Sequence, residues 1–310
     1  MEHMDRIAIV IVHYNTDQDT TECLQSLAKV TIGDWEQKIF LIDNGSKEPY
    51  VLPEKNIPDN VELLRSETNL GFTGGTNLGI QDALAFFQPD YVLLLNSDTL
   101  MEEDFLIKLH KSANKNPSVG LYNPMVYFAK EYEYHKQSYS KTDLGKIIWY
   151  AGGSIDWTHL SGFHRGVDEI DRGQFLPEHS SQQASDFATG CCVLIRREVI
   201  ETIGFMDDSY FLYWEDVDYS LRARQAGFKI ELEPTSVIYH KNAGSSDGAG
   251  SRLQQYYQTR NRFAVAIKYG TWKSRLNTLR LGWKYLFESD VTARAVFDAV
   301  FRRMGKQPVI

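Results

Sequence analysis

Apolar residues fall in short unbroken runs, separated by polar stretches of helical spacing. Ile7–Val12 is apolar at every position, which predicts a strand buried on both faces. It ends at His13-Tyr14-Asn15. A helix is expected over Thr20–Ala28, with Leu24 and Leu27 turned inward. Lys38–Ile42 predicts a second strand, stopped by the turn cluster Asp43-Asn44-Gly45-Ser46. Val61–Leu64 predicts a third. Asn69–Asn77 predicts a Gly-rich loop opening a helix that ends before Pro89. Tyr91–Leu95 is the next buried strand and runs into Asn96-Ser97-Asp98. Strand and helix alternate as a parallel α/β sheet requires.

Residues 127–183 lack periodicity and are rich in Tyr, Gly and charge, so loops and short strands forming a lid or an acceptor wall are expected there. Thr189–Ile195 predicts an apolar strand capped by Arg196-Arg197, and Ser236–Tyr239 a strand leading to His240. Near the C-terminus Leu276, Leu279, Trp283, Leu286 and Phe287 have helical spacing, with Arg275, Arg280 and Lys284 among them. Such a stripe packs on the body of the protein or on a partner subunit; its cations suit it equally to a membrane surface.

Composition narrows the class. The 310 residues are 43% hydrophobic and 24% charged, a globular mixture long enough for about two domains. No apolar run approaches the ~18 residues of a spanning helix, and no secretory signal pattern opens the chain. The three cysteines, two of them adjacent, form no disulfide framework and suggest a cytoplasmic protein. The net charge of −8 argues against general nucleic-acid binding. It is unevenly spread: from Ser251 onward 12 Lys and Arg face 3 Asp and Glu, whereas the first 250 residues carry 21 against 38.

The strand ends are the first candidate chemistry. Ligands of open α/β sheets sit beyond the carboxyl ends of the strands, where Tyr14, Asn15, Asp43, Asn69, Asn96 and Asp98 are expected together. Each residue alone is also an ordinary turn former. Asp98, just past a buried strand, could hold a hard cation together with phosphate oxygens. His240 could complete that site, an imidazole favouring Mn²⁺, or serve structure alone. The densest signal is Tyr210–Arg222, where Glu215, Asp216 and Asp218 follow an aromatic cluster. A carboxylate held among aromatics gains proton affinity, which suits a general base; an acidic helix start with ordinary capping is the plainer reading. Asp218 and Arg222 have the spacing of a helical ion pair.

Several signatures are absent. There is no Walker A sequence, and Gly71–Gly75 reads G-x-x-G-G rather than GxGxxG. No GxSxG, HExxH or kinase set occurs.

In order, Ile9–Asn15, Ile42–Ser46, Asn69–Gly79, Leu95–Asp98, Ala151–Asp156, Thr189–Val199, Gly204–Gly227, His240 and Arg260-Asn261-Arg262 resemble the family 2 inverting glycosyltransferases, especially their rhamnosyltransferase-like branch. The resemblance spans about residues 5–265. It implies a glycosyltransferase A-type fold: a mainly parallel Rossmann-like central sheet flanked by helices, with a helical extension at the C-terminus. It divides the chain into a catalytic domain over 1–250, with a nucleotide-sugar-binding half over 5–98 and an acceptor half over 99–250, and a basic extension over 251–310. Asp43 would contact the nucleotide base, Asp98 would be the metal-binding acid of a DxD-type motif, and Asp216 the catalytic base. His240 would be a further metal ligand. Tyr14, Asn15, Asn69, Gly71 and Asn96 would line the donor site, with Trp214, Glu215 and Arg260 in supporting places. The first acid of DxD is Asn96 here, which brings no charge and weakens the expectation of strict metal dependence.

The implied reaction is inverting transfer of a sugar from a nucleotide donor, dTDP-rhamnose first and a UDP-sugar next, to a polysaccharide or lipid-linked glycan, assisted by Mg²⁺ or Mn²⁺. The protein would work in the cytoplasm, free or against the inner face of the membrane, alone or as a homo-oligomer. A sugar-1-phosphate nucleotidyltransferase is the rival enzyme class; its Gly-rich basic loop should follow the first strand, where this chain has His13-Tyr14-Asn15-Thr16. A nonenzymatic nucleotide-sugar-binding subunit is the third reading.

Overall fold

The computed structural model describes residues 4–159, 161–176, 178, 184–242 and 250–308. Four strands come first: β1 (Asp5–His13), β2 (Trp35–Asn44), β3 (Val61–Ser66) and β4 (Tyr91–Asn96). They lie parallel in the order β3-β2-β1-β4. Helix α1 (Asp17–Leu27) joins β1 to β2, and α2 (Gly71–Phe86) joins β3 to β4. This is the parallel sheet that the first hundred residues predict.

Beyond β4 the sheet becomes mixed. Strands β5 (Thr99–Met101), β6 (Val119–Phe128) and β7 (Ile148–Tyr150) are followed by a separate hairpin, β8 (Gly153–Asp156) with β9 (Ser161–His164). Strands β10 (Cys192–Arg196) and β11 (Lys229–His240) complete the set. β10 runs antiparallel between β4 and β6, β11 lies parallel to β6, and β5 and β7 pair antiparallel on β11 and β6. The remaining helices are α3 (Phe105–Lys115), α4 (Arg197–Ile203), α5 (Glu215–Gln225), α6 (Arg252–Tyr269), α7 (Trp272–Tyr285) and α8 (Asp290–Val300).

Alternation along β1 explains the layering. Ile7, Ile9 and Ile11 point to one layer, shared with Leu24 and Leu27 of α1 and Phe105 and Leu109 of α3. Ala8 and Val10 point to the other, shared with Ile80 and Ala83 of α2. Each fully buried aliphatic side chain contributes ~1.5–3 kcal/mol of hydrophobic stabilisation. Both faces of β10 are apolar as well, and polar anchors fix its ends. Asn123, fully buried in β6, donates to the carbonyls of Thr189 at 3.0 Å and Cys192 at 2.6 Å. Arg196 donates to the Val119 carbonyl at 2.9 Å and to the Tyr91 hydroxyl at 3.0 Å.

Two expectations change. The Gly-rich stretch is mostly helix, because α2 already starts at Gly71. Its glycines serve close approach: a Cβ on Gly79 would stand 2.5 Å from Val10 Cγ1. The C-terminal apolar stripe does not pack on the body. α7 buries Ser274, Thr278 and Gly282 and half-buries Leu281 and Tyr285, whereas Trp272, Leu276, Leu279 and Trp283 face outward. Small residues on the inner face let α7 approach Phe263 and Val296 closely, around Gly282.

Candidate active site

β4 ends at Asn96, and Ser97-Asp98 turns the chain into β5. β11 pairs with β5 so that His240 lies opposite Thr99, next to Asp98. His240 Nε2 is 3.1 Å from Asp98 Oδ1, and the Lys241 N–H donates to the Asp98 carbonyl at 3.0 Å. Burial disfavours a charged imidazole here, but the Asp98 carboxylate and the Cys191 thiol outweigh it and hold the His240 pKa well above its usual value. Trp149 stands edge-on to His240 at 4.5 Å and to His164 at 4.4 Å. His164 Nδ1 is 3.1 Å from the Trp149 carbonyl, and burial pushes its pKa down to about 4, so the ring is neutral at pH 7 and Nδ1–H is the donor.

The start of α5 is set by backbone in an unusual conformation. Phe211, Tyr213 and Trp214 have φ of 66°, 66° and 69°, the left-handed region that non-glycine residues rarely occupy. Residues held this way cost about 1–3 kcal/mol each unless their surroundings enforce them. Here α6 does the enforcing. The fully buried Asn261 donates to the carbonyls of Tyr210, Leu212 and Tyr213 at 3.0, 2.8 and 2.7 Å. Arg260, also fully buried, donates to the Tyr210 carbonyl at 2.8 Å and to the Gly305 carbonyl at 2.6 Å. From the other side α2 closes on the loop, and a Cβ on Gly71 would stand 2.3 Å from the Phe211 carbonyl oxygen.

Three acids leave that loop with different fates. Asp218 is fully buried and structural: it accepts from Arg222 Nε at 3.0 Å, Lys268 Nζ at 2.7 Å and the hydroxyls of Tyr210 and Tyr269 at 3.1 and 2.7 Å. Burial opposes its charge, but the Lys268, Tyr269 and Arg222 donors prevail and lower its pKa. Asp216 accepts from the Gly190 N–H at 3.0 Å and the Val217 N–H at 2.8 Å, yet burial still raises its pKa. Glu215 is raised well above the usual value by burial and by the Asp216 charge beside it, and its Oε2 has no hydrogen-bond partner among the described residues. The helix N-terminus eases the cost of the acids in this first turn.

A cavity of about 410 Å³ opens where these elements meet. Asn96, Asp98 and His240 line it together with Trp214, Glu215 and Asp216. The acids at positions 98 and 216, distant in sequence, thus face one space. Other expected residues lie off its lining. Asn15 Oδ1 accepts from the Lys47 N–H at 2.8 Å and its own N–H donates to Ser46 Oγ at 3.0 Å, joining the ends of β1 and β2. Asp43 is buried; it accepts from the Ser46 and Tyr50 N–H groups at 3.0 Å each and pairs with Arg65. Burial opposes its charge, but these donors win and lower its pKa. Asn69 Oδ1 accepts from the Gly71 N–H at 2.8 Å, and Tyr14 is half-buried. Arg260 acts through the strained loop rather than on the cavity. Lining residues missed in the sequence include Phe72, Trp149, His164, Gly190, Gln254 and Gln258.

For a cation, the protein offers one carboxylate, one imidazole that can ligate only after giving up the proton Asp98 helps it hold, and Asn96 Oδ1, a buried oxygen with no hydrogen-bond partner among the described residues. No group of three or more His, Cys, Asp or Glu suited to a metal occurs among the described residues. So sparse a set fits an ion that arrives with phosphate oxygens and water as its other ligands.

The mixed central sheet flanked by helices has the architecture of the GT-A glycosyltransferases. The chain belongs to glycosyl transferase family 2, whose family model matches residues 8–204. It is 24% identical over 324 residues to the low-salt glycan biosynthesis hexosyltransferase Agl10 of Haloferax volcanii, covering 98% of this chain and 94% of that one. It is also 24% identical over 297 residues to an N-acetylglucosaminyl-diphospho-decaprenol L-rhamnosyltransferase of Mycobacterium tuberculosis, covering 89% and 90%. Among solved structures, GalNAc-T7 with UDP, GalNAc and Mn²⁺ superposes with a TM-score of 0.65 at 17% identity. That match covers 99% of this chain and 56% of the other. No helix among the described residues is long and apolar enough to cross a membrane.

Proposed function

We infer that this chain transfers a sugar, with inversion, from a nucleoside diphosphate donor to a hydroxyl of a polysaccharide or lipid-linked glycan. The observation that carries the reading is the shared cavity of Asp98 and Asp216. dTDP-rhamnose is the first donor to test, on the likeness to the mycobacterial rhamnosyltransferase, and a UDP-sugar the second.

Asp216 is the base. Its two backbone hydrogen bonds fix the plane of the carboxylate and leave a lone pair on each oxygen. One of these takes the proton of the acceptor hydroxyl as its oxygen bonds to the anomeric carbon. The bond from that carbon to the diphosphate oxygen breaks on the opposite face, and its electron pair leaves with the diphosphate. A single displacement inverts the centre, so no second carboxylate need act as nucleophile. Asp98, His240 and Asn96 would hold Mg²⁺ or Mn²⁺, which supplies Lewis-acid stabilisation of the leaving diphosphate. Trp214, held by the strained loop, offers a flat apolar wall for a sugar ring.

Thermal denaturation in the presence of nucleotide sugars and Mn²⁺ or Mg²⁺ tests the donor site. A ligand at ~100 times its Kd stabilises the fold by ~2.7 kcal/mol. If no nucleoside diphosphate or nucleotide sugar raises Tm with either ion, the assignment fails. NMR of the product from an accepted donor then gives the anomeric configuration.

A further inference from the structure

The outward face of α7 is assigned no task by the transfer reaction. Trp272, Leu276, Leu279, Trp283 and Phe287 are 68, 48, 69, 68 and 75% exposed. Their spacing of three and four residues puts the first four on one side of the helix, and Phe287, just past its end, stands edge-on to Trp283 at 5.5 Å. The inner side carries Ser274, Thr278 and Gly282, with Leu281 and Tyr285 half-buried against Phe263 and Val296. An amphipathic helix in a globular protein normally turns its apolar stripe to the core; α7 leaves its longer apolar stripe in solvent.

Charge says what covers it. Residues 272–287 hold Lys273, Arg275, Arg280 and Lys284, all exposed, and no acid, in a chain whose net charge is −8. A second copy docked through the same face would bring four like charges on each side together. An anionic lipid surface complements them. Tryptophans among cations are also the side chains that favour the headgroup level of a bilayer. A second cavity, of about 440 Å³, links this helix to the chemistry. Tyr285, the last residue of α7, lines it, and Gly162, Trp214, Gln254 and Gln258 line both it and the catalytic cavity.

We propose that α7 is a membrane-docking helix: its Trp272–Phe287 face inserts at the headgroup level of a bilayer rich in anionic phospholipid and sets the Gln254–Tyr285 groove at the lipid surface. The docking does not depend on the donor or the reaction, so it stands or falls apart from the proposed function.

The test is cosedimentation of the full chain with vesicles of phosphatidylcholine containing 30% phosphatidylglycerol, compared with phosphatidylcholine alone. Wild type should bind the anionic vesicles at least tenfold more strongly, and part of the binding should survive 0.5 M NaCl because the stripe is apolar. The double variant Leu279→Ser/Trp283→Ser should lose at least tenfold in partitioning with Tm unchanged, since neither side chain is buried. Arg275→Gln/Arg280→Gln should lose the preference for anionic lipid. No vesicle binding by wild type overturns the proposal, as does equal binding by either double variant. Sedimentation equilibrium adds the rival occupant: a wild-type dimer that Leu279→Ser/Trp283→Ser dissociates, without vesicle binding, assigns the face to a second copy.

Discussion

Gly190 donates its backbone N–H to Asp216 Oδ2 at 3.0 Å, tying the segment that enters β10 to the first turn of α5. This bond holds the carboxylate whatever the acceptor does. Asp216→Asn keeps the shape and removes the base, so kcat should fall by about 10²–10⁴-fold. The Tm increase produced by a bound nucleotide should persist. Retention of activity within tenfold of wild type would remove Asp216 from the mechanism.

Burial raises the pKa of Asp216, so the acid limb of kcat should lie above the ordinary Asp range of about 3.9. Activity is lost as pH falls through that raised value, because the base must be ionised. A pH–rate profile with its acid limb at an ordinary carboxylate value would contradict the geometry.

Glu215 carries the same shift further, and it bears on stability. Its folded pKa lies well above the unfolded value, so the folded state resists ionisation. Stability should therefore decline as pH rises from the unfolded carboxylate range, about 4.3, towards the folded pKa. Glu215→Gln removes that decline and should match or exceed wild-type Tm at pH 8. Denaturation curves at pH 5 and pH 8 give the comparison.

Asp218 has the opposite sign. Its pKa is lowered, so its contribution is present above the unfolded carboxylate value and lost as pH falls through the folded one. Removing one member of a buried charge cluster is strongly destabilising, and Asp218→Ala should cost about 3 kcal/mol at pH 7. Urea denaturation should find a gap that narrows in acid.

Asn261→Ala leaves the carbonyls of Tyr210, Leu212 and Tyr213 without its donors. The Tyr210 carbonyl keeps its bond from Arg260, and each buried acceptor that is left unsatisfied costs about 1–3 kcal/mol of stability. The larger effect should be on kcat, because the relaxed loop no longer aims Trp214 and Asp216. An unchanged kcat in a destabilised variant would confine Asn261 to stability.

Asp98→Ala should abolish the increase in nucleotide affinity that Mn²⁺ produces, as read by calorimetry with the nucleoside diphosphate alone. His240→Ala should lower it without abolishing it. Equal Mn²⁺ enhancement in both variants and wild type would move the ion elsewhere.

The legible parts of the fold are those where one strand's own side chains decide the outcome. Ile7–Val12 and Tyr91–Leu95 are buried on both faces, and their apolar runs say so directly. Asp98 and Asp216, which line one cavity, stand out as candidates in the sequence because acids beside apolar segments are costly and therefore conspicuous. Asn261 sits in the Arg260-Asn261-Arg262 motif, but its role is to donate to carbonyls some fifty residues earlier, and backbone carbonyls leave no trace in a sequence. His164 and Trp149 belong to the stretch without periodicity, and only the edge-on contacts of Trp149 with His240 and of His164 with Trp149 bring them to the cavity. The outward turn of the α7 stripe was equally hidden, because helical spacing defines a face and not its direction.

β10 has a consequence for how the chain finds its native pairing. Greasy on both sides, it would satisfy the core almost as well if it slid one position and turned over. Hydrophobicity cannot forbid that error. Asn123 and Arg196 can, because a slipped strand would withdraw the Thr189 and Cys192 carbonyls from one and strand the guanidinium of the other. These two side chains act as pegs at opposite ends of a smooth rail, and it is they, not the oil around it, that bring Gly190 to rest beside the base.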